Sequence, residues 1–378
     1  MPRVAIIEPV GGHGGMNYYD LGLLKGVIDA GTDALLYTSE ETNVSPEMSC
    51  FVRRYFRGVW GPKNKLFRAS RFVFGMVKSL LHARFSRCNI VHYHFFHYGI
   101  MELFMVLVAR LLLFKVVVTA HDVESFKGGQ KDWLAEIILK VASVVIVHNQ
   151  ISKKSLVEKL SLTESYIYVI PHGNYFDFIE RRPTKTAARE ALGIPKDKMV
   201  VLFFGQIKRV KGLEVLLNAW GEVVANEPTA HLVIAGKVWK DDFSVYQDLI
   251  DDSLLSDSVS TFVRYIRDEE VADFYCSADL VVLPYHQIFQ SGVLLMAMSY
   301  GVPVLVSDIA GMMEVIGNDE FGLSFEKGCP KDLAVKTRNL LKSPDSLDRY
   351  ADLGIKRMNE SYSWGNIGRL TAELFRSL

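Results

Sequence analysis

The chain has 378 residues, of which 43 are Lys or Arg and 43 are Asp or Glu, so its formal net charge is zero. With 49% hydrophobic and 23% charged residues it has the composition of a core-forming globular protein, which excludes a disordered chain. The length is sufficient for two domains of ordinary size. Its four cysteines are widely separated and match neither a redox motif nor a metal-binding motif.

The chain begins with a short apolar run at residues 4–7, which predicts a buried first strand. Four glycines follow within residues 11–15, and apolar positions then recur at helical spacing over residues 18–28. Glycines between a strand and a helix let the backbone approach a ligand closely, although a tight turn is the alternative. The spacing is that of neither a Walker loop nor GxGxxG, so it does not predict dinucleotide binding.

A basic and aromatic segment at residues 51–87 follows the second predicted strand, residues 34–38. No Asp or Glu occurs between Met48 and Met101, whereas ten Lys and Arg residues do. We expect the segment to form one or two helices that lie on an anionic membrane surface. Ordinary solvated helices and a nucleic-acid surface are the alternatives, and we expect no nucleic acid as a partner.

The next strands end in histidines. Residues 90–94 contain His92 and His94, and an HxH strand presents both rings on one face, where they can bind a metal. No acidic or cysteine residue is near them in the sequence, so we assign no metal site. The strand at residues 115–119 leads to His121, at the carboxyl end where α/β sheets bind ligands. His121 can donate a hydrogen bond to a sugar hydroxyl, act as a base, or merely cap a helix.

The start of the chain leads directly into the first strand and shows no secretory signal. The most apolar window, residues 103–118, is interrupted by Arg110 and Lys115 and is short for a bilayer span. It predicts a buried helix followed by a strand. We therefore expect a cytoplasmic protein that is peripheral to the inner face of the cell membrane.

A charged and polar stretch at residues 174–198 predicts a linker, after which a new buried strand begins at residues 200–204. Lys208, Arg209 and Lys211 then lie on a loop bounded by glycines that leads into a helix. Cations and a helix dipole at one place favour a diphosphate group. A solvated basic turn is the alternative.

Residues 279–314 predict a strand, a polar loop, a helix and a second strand, which is a βαβ unit. Its loop contains Gln290, Ser291 and Gly292, which offer backbone N–H groups and a hydroxyl at a helix N-terminus. Such a turn suits an anionic group, for example a nucleotide diphosphate. An ordinary capped turn would contain the same residue types.

The elements alternate between strand and helix in both halves of the chain. We therefore predict an α/β fold of two doubly wound Rossmann-like domains, residues 1–180 and 181–360, that face a cleft. Residues 361–378 are predicted to form a closing helix that packs back on the N-terminal domain.

The sequence motifs FFGQIKRVKG at residues 203–212, TAHD at 119–122 and the stretch at 278–316, together with the glycine-rich first loop, resemble those of retaining GT-B glycosyltransferases of family 4. The resemblance covers nearly the whole chain. It implies transfer of a hexose from a UDP- or GDP-linked donor, with retention of configuration by front-face attack and without a protein nucleophile. The basic and aromatic segment suggests a glycan or polyprenyl-linked acceptor at the cytoplasmic membrane face. No Asp-x-Asp motif stands in a convincing position, so we expect neither a metal nor a further cofactor.

The resemblance also assigns site residues. Lys211 matches the lysine that grips the donor diphosphate, and His121 matches the histidine that contacts the transferred sugar. Gly14 and Gly15 match the loop beside the donor phosphates. Glu314 falls where the family has the glutamate of GG-x-x-E, although Ala310 replaces the first glycine.

Two departures from the family pattern concern the donor site. The family usually has an arginine directly after Gly205, where this chain has Gln206, so Lys208 or Arg209 is expected to supply that charge. The positions of two glutamates hold Ile288 and Met296, whose side chains cannot hydrogen-bond a hydroxyl. A branch of the family with QSGV in this loop is similar, which implies that the donor is contacted by Gln290, Ser291, Gly292 and Val293.

The missing glutamates keep two alternatives open. The chain could be a catalytically inactive glycosyltransferase-like binding partner, or a sugar-nucleotide epimerase on the same fold. An epimerase would need carboxylates in the cleft, and Glu314 is the one well placed. The presence of His121, Lys211 and Glu314 favours an active transferase.

Overall fold

The structure is a computed structural model that describes residues 2–12, 15–62, 64–121, 123, 132–240, 242–252 and 255–378. The chain divides into two compact units, one formed by Met1–Gly173 with Ser361–Leu378 and the other by Asn174–Glu360. The division therefore falls after Gly173, whereas the sequence predicts it at residue 180.

Each unit contains one parallel sheet. The strands are β1 (Arg3–Glu8), β2 (Asp33–Ser39), β3 (Val52–Phe56), β4 (Ile90–Phe95), β5 (Lys115–Ala120), β6 (Val144–Val147), β7 (Ile167–Val169), β8 (Met199–Phe204), β9 (Ala230–Ala235), β10 (Val259–Phe262), β11 (Leu280–Leu283), β12 (Val304–Ser307) and β13 (Leu323–Phe325). The helices are α1 (Met16–Asp29), α2 (Lys65–Phe85), α3 (Ile100–Leu111), α4 (Asp132–Val141), α5 (Gln150–Leu160), α6 (Lys185–Leu192), α7 (Leu213–Asn226), α8 (Ser244–Asp252), α9 (Asp268–Ser277), α10 (Gly292–Tyr300), α11 (Ala310–Ile316), α12 (Pro330–Leu341), α13 (Pro344–Ser361) and α14 (Trp364–Ser377).

The first unit is a seven-stranded sheet with the order β3-β2-β1-β4-β5-β6-β7. Its central strands are buried on both faces, which explains why they are nearly continuous apolar runs in the sequence. Helices α2, α3, α4 and α5 share one core with one face of the sheet. Helices α1 and α14 pack against each other in this unit, and Phe375 of α14 reaches the ring of His92 on β4. The second unit is a six-stranded sheet with the order β10-β9-β8-β11-β12-β13.

The C-terminal helix α14 belongs to the first unit because small residues let it approach α1 closely. A Cβ atom on Gly368 would lie 2.0 Å from the carbonyl carbon of Gly26, so the two backbones are in direct contact. The indole of Trp364 fills the space beside Gly22 and Gly173. The predicted return of the closing helix to the N-terminal half is confirmed.

Two segments differ from their predicted structure. The basic segment, predicted as helix only, contains the strand β3 before α2, because Val52 pairs beside Leu36 at the sheet edge. The predicted linker contains helix α6. Its Arg189 is buried and makes an ion pair with Asp279 at 2.6 Å, which anchors the segment to the second unit. Among the described residues, no helix is both long enough and apolar enough to cross a membrane.

Candidate functional site

The second sheet has its topological switch point between β8 and β11. From β8 the chain proceeds outward through β9 and β10, and it then returns to β11 on the other side and continues to β12 and β13. In open α/β sheets, ligands bind outside the carboxyl ends of the strands at such a point. The two loops that the sequence assigns to the donor directly follow β8 and β11.

The loop that carries Lys211 lies against the loop after β11. Gly212 has a φ of +64°, and a Cβ at this position would lie 1.9 Å from the carbonyl oxygen of Pro284, so only glycine permits the contact. The Nζ atom of Lys211 stands 3.7 Å from the ring centroid of the buried Tyr285. The ammonium group is therefore held at the carboxyl end of β11 by a cation–π contact.

A second contact joins the same loops at the start of α10. A Cβ on Gly205 would lie 3.1 Å from Cγ2 of Val293. Ser291 is buried, and its hydroxyl accepts a hydrogen bond from the Leu294 amide at 3.3 Å. The preceding residue, Gln290, is half-buried. The Ser291 side chain thus caps the helix. The amides of Gly292 and Val293 lie in the first turn, where N–H groups have no partner within the helix and point outward.

The three cations of the loop after β8 lie in different surroundings. Lys208 places its Nζ 5.5 Å from the ring centroid of Trp239, in the loop after β9, which is on the opposite side of β8 from β11. Arg209 is exposed. The contact with the loop after β11 comes from Lys211, so the geometry favours Lys211 over Lys208 as the cation at the switch point.

Glu314 is half-buried on α11, which also contacts the loop after β11. A Cβ on Gly311, near the start of this helix, would lie 2.6 Å from the carbonyl oxygens of Ile288 and Phe289. The loops after β8 and β11 and the helix after β12 therefore converge at one end of the second sheet.

Sequence reasoning missed the pair formed by His286 and Glu214. Their side chains lie 2.5 Å apart and connect the loop after β11 to α7.

In the first unit, one histidine lies at the end of each of four neighbouring strands. His94 lies on β4, and His121, His148 and His172 follow β5, β6 and β7. The ring of Tyr19, from α1, has its centroid 5.0, 4.7, 5.6 and 5.0 Å from those four rings in that order. These side chains form one aromatic cluster at the carboxyl edge of the first sheet.

Hydrogen bonds fix which nitrogen of His121 carries the proton. Nδ1 of His148 lies 2.9 Å from the carbonyl oxygen of Ile170, which can only accept, so this nitrogen is protonated. The Nε2 of neutral His148 is then an acceptor, and it lies 3.1 Å from Nδ1 of His121. His121 must therefore donate from Nδ1. Its Nε2 is then unprotonated and has a lone pair that can accept a hydrogen bond.

Both histidines are neutral near pH 7. Burial lowers the pKa of His148 to about 3, and burial with the neighbouring His148 lowers the pKa of His121 well below its usual value. The Nε2 atom of His121 is buried, and among the described residues it has no hydrogen-bond partner. The sequence left open donation to a sugar hydroxyl, action as a base, or helix capping; the geometry instead favours acceptance of a hydrogen bond from a hydroxyl group.

Two of these residues could have been found from the sequence. His148 and His172 each follow an apolar strand, as His121 does, and the rule for strand ends applies equally to all three. Tyr19 gives no such signal, because it lies on a helix.

The structure describes one of the two glycines that the sequence assigns to the donor loop. Gly15 precedes α1 with a φ of +87°, whereas Gly14 lies outside the described residues.

The two units match two different family models. Residues 13–174 match the model described as Glycosyltransferase Family 4, and residues 184–357 match that described as Glycosyl transferases group 1. A D-inositol 3-phosphate glycosyltransferase of Thermobispora bispora is 25% identical over 97% of this chain and 90% of its own length.

Solved structures share the fold at low sequence identity. Sucrose-phosphate synthase from Thermosynechococcus elongatus has a TM-score of 0.76 and 22% identity, with 100% of this chain and 99% of that chain covered. Anabaena HepE in complex with UDP has a TM-score of 0.76 and 18% identity, with both chains covered fully. With the two family models following one another along its two units, this chain belongs to the GT-B glycosyltransferases that resemble family 4.

Proposed function

We propose that the protein transfers a hexose from a UDP- or GDP-linked donor to a glycan or polyprenyl-linked saccharide at an anionic membrane surface. The observation that carries the donor assignment is the convergence of Lys211 and the N-terminus of α10 at the switch point between β8 and β11. A cation and unpartnered backbone N–H groups are the chemistry that binds a diphosphate.

The same groups would assist departure of the nucleoside diphosphate. When the bond between the anomeric carbon and the diphosphate breaks, negative charge accumulates on the phosphate oxygens. Preorganised positive charge at that position is usually a large part of catalysis. Lys211 supplies a full charge, and the amides of Gly292 and Val293 supply partial charges. The acceptor hydroxyl bonds to the anomeric carbon on the face that the diphosphate leaves, which retains the configuration, and the hydroxyl proton passes to the departing diphosphate oxygen.

His121 is proposed to orient the transferred sugar by accepting a hydrogen bond from one of its hydroxyls. Its Nε2 lone pair is held in place through His148, and no group of the described residues competes for it. Support for a uridine nucleotide comes from HepE, whose structures contain UDP and UDP-glucose. The acceptor of the T. bispora relative is, by its name, an inositol phosphate. We propose a glycan or lipid-linked acceptor here because of the surface described below.

The donor is tested by thermal unfolding in the presence of UDP, GDP, ADP and UMP, followed by transfer or hydrolysis assays with the matching sugar nucleotides. We expect UDP or GDP to raise the unfolding temperature more than UMP does, because a second phosphate adds a contact with Lys211. Equal effects of UDP and UMP would contradict the proposed diphosphate site. Donor binding without turnover of any sugar nucleotide would contradict the transferase proposal.

The membrane proposal rests on the outward side of α2, α3 and α4. These helices bury one side against the same face of the first sheet, and their opposite sides carry large exposed hydrophobic residues. The set, which we name the apolar helix face, consists of Leu66, Phe67, Phe74, Val77, Leu81, Phe85, Ile100, Phe104, Leu107, Leu111, Trp133 and Ile137. Phe85 is 86% exposed and Leu111 is 80% exposed. Exposed apolar surface of this extent marks an interaction site.

The basic residues near the apolar helix face favour an anionic lipid surface as its partner. Lys78 and Arg84 are exposed on α2 among these apolar residues, and no Asp or Glu occurs between Met48 and Met101. A helix with this arrangement lies in the interface of a bilayer, with its apolar side chains below the headgroups. Each basic residue near an anionic surface contributes about 1 kcal/mol.

In flotation assays we expect the protein to bind vesicles that contain anionic lipid, and to bind them less at high salt. The double substitution Phe74→Ser with Phe85→Ser is expected to reduce the bound fraction strongly, because it removes two inserted aromatic side chains. Tyr265→Ser, which alters a side chain 66% exposed in the second unit, is the matched control. Equal binding of the double variant and the control, or no binding at low salt, would contradict the proposal.

A further inference from the structure

A group of three buried polar side chains lies in the first unit. Glu8 ends β1, Asp20 lies on α1, and His94 lies on β4, the neighbour of β1 in the sheet. In the sequence His94 has no acidic neighbour, but the fold brings Asp20 to it from 74 residues away. All three side chains are at most 4% exposed.

The potential ligand atoms of the group lie close together. Nδ1 of His94 is 3.1 Å from Oδ1 of Asp20 and 3.8 Å from Oε2 of Glu8, and one ligand atom from each residue lies within 4.8 Å of the others. Two ligands of a tetrahedral zinc site are about 3.4 Å apart, given bonds of about 2.1 Å to the metal. The observed distances lie on either side of that value.

The hydrogen bonding of the two carboxylates is incomplete. Oε1 of Glu8 accepts from the Val10 amide at 2.7 Å, but its Oε2 is enclosed and has no hydrogen-bond partner in the described part of the chain. The same holds for Oδ2 of Asp20, which is also enclosed and has no partner there. Among the described residues, the ion pairs of both carboxylates are with His94, and no lysine or arginine pairs with them.

The described residues supply no lysine or arginine for either carboxylate, and an enclosed carboxylate oxygen without a hydrogen bond is costly. A bound divalent cation removes this cost, because it uses the unpartnered oxygen of Glu8 as a ligand.

We propose that Glu8, Asp20 and His94 bind one divalent cation, of the zinc or manganese type, through two carboxylate oxygens and one imidazole nitrogen. Imidazole is a usual ligand of zinc, whereas carboxylate oxygens suit manganese and also occur at zinc sites, so a mixed set favours these ions over magnesium or calcium. The cation would join β1, α1 and β4 beneath the glycine-rich first loop. Gly11 of this loop lies against the site, since a Cβ there would be 3.4 Å from Oδ2 of Asp20.

The test measures bound metal and does not depend on transfer activity. Full-length protein without an affinity tag is stripped with a chelator and dialysed separately against Zn²⁺, Mn²⁺ and Mg²⁺, and bound metal is measured by mass spectrometry. We expect about one Zn²⁺ or Mn²⁺ per chain. At a free metal concentration about 100 times Kd, the unfolding temperature should rise by roughly 5–10 °C.

Substitutions of two of the proposed ligands test whether the ion binds at these residues. Glu8→Gln and Asp20→Asn keep the side-chain shape and remove one charge, and each is expected to reduce bound metal at least tenfold at the same free concentration. Since each also removes repulsion between the carboxylates, the metal-free variants should unfold no earlier than the metal-free wild type. His231→Gln, at a buried histidine of the second unit that pairs with Ser260, is the control and should bind metal normally.

Three results would overturn the proposal. The first is a wild-type protein that binds neither Zn²⁺ nor Mn²⁺ and whose unfolding temperature neither ion raises. The second is metal binding that persists in both Glu8→Gln and Asp20→Asn. The third is binding of Mg²⁺ in preference to Zn²⁺ and Mn²⁺, which would contradict the role of the imidazole. The wild-type measurement is decisive even if a variant fails to fold.

Discussion

Lys211→Ala is expected to lower the rate of glycosyl transfer by about 10²-fold or more, because it removes the full positive charge at the switch point of the second sheet. The ammonium group is held 3.7 Å from the ring centroid of Tyr285, so it is positioned before the donor binds. A charge that needs no rearrangement stabilises the developing diphosphate more than a mobile one does. The measurement is kcat and kcat/KM with the sugar nucleotide that stabilises the protein.

Lys198→Ala is the matched control for this substitution. Lys198 lies at the opposite, amino end of β8, where its Nζ donates to the carbonyl oxygen of Pro228 at 2.9 Å. Lys198→Ala removes the same charge at the other end of β8 without altering the switch point. We also expect Lys211→Ala to weaken stabilisation by the nucleoside diphosphate, and Lys211→Arg to retain more activity than Lys211→Ala. Near-normal turnover of a folded Lys211→Ala protein would reject the assignment.

Much of the fold could be predicted from the sequence because buried parallel strands are continuous apolar runs with glycines or polar residues at their ends. Strand β8 (Met199–Phe204), for example, lies within one residue of its predicted bounds, residues 200–204. The edge strand β3 was missed because its arginines resemble those of the adjacent basic helix. Its Val52 and Phe56 become buried through packing against β2 and α2, which local sequence does not specify.

The sites differ in how far local sequence determines them. The donor loops are contiguous motifs, and the adjacency of β8 and β11 follows from the expected doubly wound order. The grouping of Glu8, Asp20 and His94 could not be predicted, because the three residues come from three elements and meet through the register of β1 and β4. The orientation of His121 was equally inaccessible, since it depends on hydrogen bonds to His148 and, through it, to Ile170.

The second large effect on catalysis is expected for His148→Phe. This substitution keeps an aromatic ring but removes the nitrogen that accepts from Nδ1–H of His121 and thereby fixes its tautomer and ring orientation. Without it, Nδ1–H of His121 loses its partner, and the imidazole can turn or move its proton to Nε2. The nitrogen that we propose accepts from the sugar hydroxyl would then carry a hydrogen. Loss of one such buried hydrogen bond costs about 1–3 kcal/mol, which corresponds to a decrease in kcat of roughly 5- to 150-fold.

A purely structural role for His148 is separated from a positioning role by observing the His121 ring itself. Nitrogen NMR of the wild type should show the proton on Nδ1 of His121, and His148→Phe should show it on Nε2 or shared between both nitrogens. His148→Gln, whose side-chain oxygen can accept the same hydrogen bond, should restore part of kcat. Because His148 acts through His121 and lies in the first unit, nucleoside diphosphate binding by the second unit should be unchanged in both variants. A folded His148→Phe protein with normal kcat, or with the His121 proton still on Nδ1, would show that another contact sets the tautomer.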